Sequence, residues 1–195
     1  MISLLKKVIY DNSELLYDEK EKTIERIDYG IQNSLPNQLP NDCLLYKSMD
    51  HIFRFYNSSL STFCFNKLLE KNCEDEKNKL TIKILKTKEK NINIGIIKSD
   101  FNLSEDALVY STSCWLFNCN GTIMFNKGNR TDILKDYHCK KGDIIGLKYN
   151  SSKGDVELFI NNKSECIIFK DLDISIDYKF VISLFDIEDK IQIVE

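Results

Sequence analysis

The chain has 195 residues, is 43% hydrophobic and 29% charged, and carries a net charge of −3. That composition excludes a disordered chain, and the seven Gly and two Pro exclude collagen-like and Pro-rich classes. The slightly acidic balance supplies no global positive field for nucleic acid or anionic lipid, and no apolar run approaches the roughly 18 residues of a membrane span.

The N-terminal segment, read first, has helical rather than alternating spacing. Ile2, Leu5 and Ile9 recur at i, i+3 and i+7. Asp11, Asn12 and Ser13 can cap a second helix, whose thin apolar stripe is Leu16, Ile24, Ile27 and Ile31. Pro36 and Pro40 then end any helix. Residues 1–49 are therefore expected to be a helical extension and linker, and residues 50–195 a separate domain. The helices either pack on that domain or self-associate weakly through residues 1–34. The a/d stripe lasts about one heptad, which favours packing.

After residue 50 the period becomes two. Strands are predicted over 52–56, 62–66, 80–85, 92–97, 108–111, 114–118, 122–125, 143–149, 155–160, 165–169, 178–185 and 190–194. Asn120-Gly121 and Ser152-Lys153-Gly154 read as hairpin turns. Short strands with turns at regular intervals predict an all-β fold, an antiparallel sandwich of two sheets.

Catalytic and metal chemistry find little support. The seven Cys include no C-x-x-C, the only His are His51 and His138, and no zinc-ligand spacing occurs. No signal sequence is visible, so a cytoplasmic protein with free thiols is expected. Asp155 and Glu157 would share a strand face, as glycosidase carboxylates do, but no third carboxylate follows on that strand. His138 and Cys139 are adjacent, so on a strand they would point to opposite faces. No phosphate-binding loop appears. The expectation is a non-enzyme with no cofactor and no metal.

The most informative stretch is Gly142-Asp143-Ile144-Ile145-Gly146, followed by Gly154-Asp155-Val156-Glu157-Leu158-Phe159-Ile160-Asn161-Asn162 and Phe169-Lys170-Asp171-Leu172. Four other landmarks accompany it: Ile94-Gly95-Ile96, Ser113-Cys114-Trp115, Gly121-Thr122-Ile123-Met124-Phe125-Asn126-Lys127-Gly128 and Val181-Ile182-Ser183-Leu184-Phe185. Taken in chain order they resemble the core of a SPRY domain, well over residues 79–195 and loosely over 50–78. The chain departs from the family pattern where Asn161-Asn162 replace a Gly turn, where Phe180 stands near the usual Pro, and where Lys79–Lys83 lacks an acidic residue.

The resemblance implies a bent sandwich of concanavalin-like type without catalytic chemistry. It implies a module that binds a short peptide segment of another protein through rim loops, as an adaptor or scaffold, for example of a ubiquitin ligase. Carried over by motif, the contacts are Lys98, Asp100, Tyr110 and Asp186, with Arg54 on an early strand. Arg130 is added as a carboxylate-recognising fork in a Lys-rich chain, although pairing with Asp132 or Asp136 is the favoured reading of it. Trp115 is read as core. A carbohydrate-binding sandwich is the alternative, and neither nucleic acid nor membrane is expected as a partner.

Overall fold

The computed structural model describes residues 6–10, 13–18, 23–28, 46–48, 51–57, 61–65, 68–71, 78–88, 91–101, 111–125, 129–186 and 189–194. These residues form two antiparallel sheets. In chain order the strands are β1 (Lys6–Tyr10), β2 (Ser13–Asp18), β3 (Thr23–Asp28), β4 (Tyr46–Ser48), β5 (His51–Asn57), β6 (Ser61–Phe65), β7 (Lys79–Lys86) and β8 (Ile92–Lys98). They continue as β9 (Cys114–Asn118), β10 (Thr122–Phe125), β11 (Asn129–Asp132), β12 (Ile144–Asn150), β13 (Asp155–Ile160), β14 (Lys163–Phe169), β15 (Tyr178–Leu184) and β16 (Lys190–Ile193). One sheet has the order β1-β2-β3-β16-β7-β12-β13-β14 and the other β11-β10-β9-β8-β15-β6-β5-β4.

The all-β expectation holds, and most of the strands expected after residue 50 are present. The expected helical N-terminal extension does not hold. Three of its segments are strands, and β3 pairs with β16 through Ile24↔Ile191, extending the first sheet. Val8-Ile9-Tyr10 and Leu15-Leu16-Tyr17 suit strands at least as well as helices. Asp and Asn favour turns as much as caps, and the pairing Tyr10↔Ser13 brings the end of β1 to the start of β2. Open edge pairing on β16 outweighs a weak helical period. The expected strand over 108–111 lies almost entirely outside the described residues. β11, Asn-Arg-Thr-Asp, was not predicted, because it has no apolar alternation.

The core sits between the sheets. Alternate residues of each strand enter it: Ile92, Ile94 and Ile96 of β8, Phe117 of β9, Phe180, Ile182 and Leu184 of β15, and Ile82, Ile84, Ile145, Leu147, Val156 and Leu158 opposite. Ile is the commonest of these core residues, and β-branched side chains pack well on a pleated face. A second buried cluster, Ile97, Cys114, Leu116, Met124 and Val181, lies on the outer face of the second sheet, with Phe101 packed against it.

The motif residues have structural work. Asn161 and Asn162 adopt φ of 52° and 65° in the two-residue turn between β13 and β14, a left-handed geometry that Asn tolerates in place of Gly. The Asn161 side chain accepts from the Ile144 N–H at 2.9 Å and donates to Asp143 Oδ1 at 3.2 Å. Asp143 Oδ2 also accepts from the Lys140 N–H at 3.0 Å and from the Tyr137 hydroxyl at 3.3 Å. Asp143 is buried, so its removal would strand these donors. Asp143→Ala is expected to lower stability by about 2–3 kcal/mol in urea denaturation. The half-buried Asp155, at the start of β13, has no such set of donors, and Asp155→Asn should stay within about 0.5 kcal/mol. Among the described residues no helix is long and apolar enough to cross a membrane.

Candidate functional site

The two ends of the sandwich are defined by strand direction. β8 runs from Ile92 to Lys98, and β15 returns antiparallel with Tyr178↔Lys98 and Leu184↔Ile92. One rim therefore gathers the C-terminal end of β8 and the start of β15. The opposite rim gathers the start of β8 and the end of β15. Six strand steps separate them, about 20 Å.

This geometry divides the sequence-derived candidates. Lys98 and Asp100 lie on the first rim, where the Phe101 N–H donates to the Lys98 carbonyl at 3.1 Å and closes a tight turn. Asp186 lies on the opposite rim, its N–H bonded to Asp189 Oδ2 at 3.0 Å. Loops that follow two adjacent antiparallel strands must emerge at opposite ends, so these residues cannot line one pocket. Tyr110 lies outside the described residues. Arg54 and Arg130 share one cross-sheet row, Arg54–Cys64–Val181–Gly95–Leu116–Met124–Arg130. Six strand spacings place them about 29 Å apart.

The first rim is held in shape from below. The Lys98 N–H donates to the Ser113 carbonyl at 3.0 Å, the Ser99 N–H to Asp177 at 2.8 Å, and the Leu69 N–H to Tyr178 at 2.9 Å. The segment 68–71 is fixed to Asn78, the residue before β7, by a reciprocal pair: the Glu70 N–H donates to Asn78 Oδ1 at 2.7 Å, and Asn78 Nδ2 donates to the Glu70 carbonyl at 2.8 Å. Lys71 bridges to the turn before β15 through Asp177 at 2.9 Å and the Ser175 carbonyl at 2.9 Å. Beneath these loops Tyr178 is buried between two rings. Its centroid is 5.7 Å from Trp115 and 5.5 Å from Tyr149, both edge-on. Trp115 packs against the core but stays half-buried, so the core reading holds in part.

On this frame the rim presents apolar and charged groups together. Leu68 is 45% exposed and Ile174 is 48% exposed, each on a segment anchored by the contacts above. Asp173 accepts from the Ser175 hydroxyl at 2.6 Å and the Ser175 N–H at 2.9 Å. These bonds, helped by the charges of Lys98 and Lys71, hold its carboxyl below the ordinary value. A depressed carboxylate contributes above its ordinary value and loses its contribution as pH falls through the lowered one. The Asp173 anchor is therefore complete at neutral pH.

Sequence reasoning missed Leu68, Lys71, Asp173, Ile174 and Asp177. One signal was available. Leu172, Ile174, Ile176 and Tyr178 alternate as a strand would, yet Ile174 is exposed between buried Leu172 and Tyr178. An exposed apolar residue on an anchored turn points to contact with something else.

No sequence-family model matches the chain, and no curated protein sequence matches it. Solved structures do. The SPRY domain of human HERC1 shares 13% identity at a TM-score of 0.58, over 77% of this chain and 91% of that one. A human SPRY domain shares 11% identity at 0.52, over 76% and 93%. The TRIM65 PSpry domain shares 8% identity at 0.53, over 77% and 85%. At such identities the likeness is one of fold. The landmarks read from the sequence point the same way, and the chain has a SPRY-like fold.

Proposed function

We propose that the chain is a non-catalytic protein-interaction module that binds a short, extended peptide segment at the rim formed by residues 68–71, 98–101 and 173–177. The observation that carries this reading is the pair of exposed side chains, Leu68 and Ile174, on turns fixed by main-chain bonds and by the Lys71–Asp177 ion pair. A preformed apolar contact ringed by Lys98, Asp100 and Asp173 costs little ordering entropy when a ligand docks. Its apolar centre would supply most of the affinity and its charges the orientation.

The module would act as an adaptor or scaffold, in the manner the resemblance implies. Four described cysteines, Cys114, Cys119, Cys139 and Cys166, carry free thiols, which agrees with a reducing cytosolic setting.

A random peptide-display selection, run beside a glycan array, tests the reading. Selected peptides should bind the wild-type chain, and Ile174→Asp or Leu68→Asp should weaken them by about tenfold or more. Glycan binding without peptide binding would instead support a carbohydrate-binding sandwich.

A further inference from the structure

β11 is the edge strand of the second sheet, and all four of its residues are exposed. It pairs with β10 through Thr122↔Asp132, Ile123↔Thr131, Met124↔Arg130 and Phe125↔Asn129. Just past the strand the Ile133 N–H donates to the Gly121 carbonyl at 3.0 Å. In an antiparallel ladder the bonded positions alternate. Ile133, Thr131 and Asn129 therefore bond toward β10, while the main-chain groups of Arg130 and Asp132 face outward. Among the described residues, neither side chain makes an ion pair or hydrogen bond, so the expected Arg130–Asp132 and Arg130–Asp136 pairings are absent.

Charged residues on an edge usually prevent strand addition. This edge carries one positive and one negative residue at i and i+2, on the same face. An antiparallel two-fold centred on Thr131 places Arg130 opposite Asp132 of the second copy, and Asp132 opposite Arg130. Those same two residues carry the outward main-chain groups, so both pairs fall at hydrogen-bonded positions, with Cα atoms about 5.5 Å apart. Main-chain pattern and charge pattern select one register. We propose that β11 pairs with β11 of a second copy of this chain, joining the second sheets of the two copies into one continuous sheet across a two-fold axis.

Four main-chain bonds and two exposed ion pairs make a small interface, so the dimer is weak, with a Kd of roughly 100 µM. The axis runs perpendicular to the sheet and reverses strand direction. The two copies therefore present their candidate rims at opposite ends, as suits a scaffold bridging two partners.

Sedimentation of the full chain, from roughly 10 µM to 1 mM, tests this. The wild type should dimerise at the upper end and weaken between about 50 and 500 mM salt. Arg130→Asp and Asp132→Arg place like charges opposite each other and should each weaken association by about tenfold or more. Mixed in equal amounts, the two variants should form a 1:1 heterodimer, and the double exchange R130D/D132R should restore the homodimer. A wild type that stays monomeric throughout, or association untouched by either variant, as an interface through residues 1–34 would give, overturns the proposal. So does a mixture that stays monomeric. If one single variant fails to fold, the double exchange and the salt series still decide.

Discussion

Gly95→Ala is expected to cost about 3 kcal/mol or more, because the added methyl has no room at the centre of the second sheet. An ideal Cβ on Gly95 would lie 2.1 Å from the Trp115 carbonyl oxygen, 2.8 Å from Leu116 Cδ2 and 3.0 Å from Leu116 Cα. Two of these are backbone atoms of β9, directly paired with β8 through Gly95↔Leu116. Relief requires the strands to separate where Val181, Leu116 and Met124 pack. For a domain of this size that corresponds to a Tm lower by roughly 6–12 °C. Gly146→Ala is the control, with its nearest atoms at 3.5 Å, an ordinary contact, and it should change stability by less than about 1 kcal/mol. Equal effects of the two substitutions in calorimetry would contradict the β8–β9 register.

Tyr178→Ala should cost about 3–5 kcal/mol, the range for removing a large buried aromatic. The side chain is 1% exposed and fills the space between Trp115 and Tyr149. Its hydroxyl also donates to the Asp173 carbonyl at 3.2 Å, linking the core to the rim turn. Burial raises the phenol to about 12, so it remains a neutral donor at physiological pH. Tyr178→Phe keeps the packing and loses that bond, and should cost only about 1 kcal/mol. The alanine variant should also lose the anchorage of residues 173–177, read as faster amide exchange there. A Phe variant as unstable as the Ala variant would show that the hydroxyl, not the ring, governs the site.

The frame was legible because its signals are local and physical. Ile94-Gly95-Ile96 announces a strand whose centre must be Gly, and the structure shows the neighbouring backbone that demands it. Gly142-Asp143 announces the buried carboxylate that ties residues 137–140 and the Asn161 turn together. The N-terminal strands were misread because their apolar residues fit both periods, and the β3–β16 pairing that decides the matter is not local. The candidate site was harder still. Lys98, Asp100 and Asp186 were grouped by motif position, although chain direction carries Asp186 to the other rim. Lys71 and Asp177 lie 106 residues apart in the chain, and no sequence pattern announces their ion pair. Arg130 was singled out as an Arg in a Lys-rich chain, yet it acquires a meaning only once its strand is known to be an edge.

The central claim is that ligand recognition occurs at the rim beyond Lys98. The most direct measurement is an amide footprint, by NMR shift mapping, of a display-selected peptide on the intact chain. The account predicts perturbations concentrated in residues 68–71, 98–101 and 173–177, and lost in Ile174→Asp. Perturbations concentrated instead at residues 118–122, 133–143 and 184–186, on the rim that holds Asp186, would contradict it.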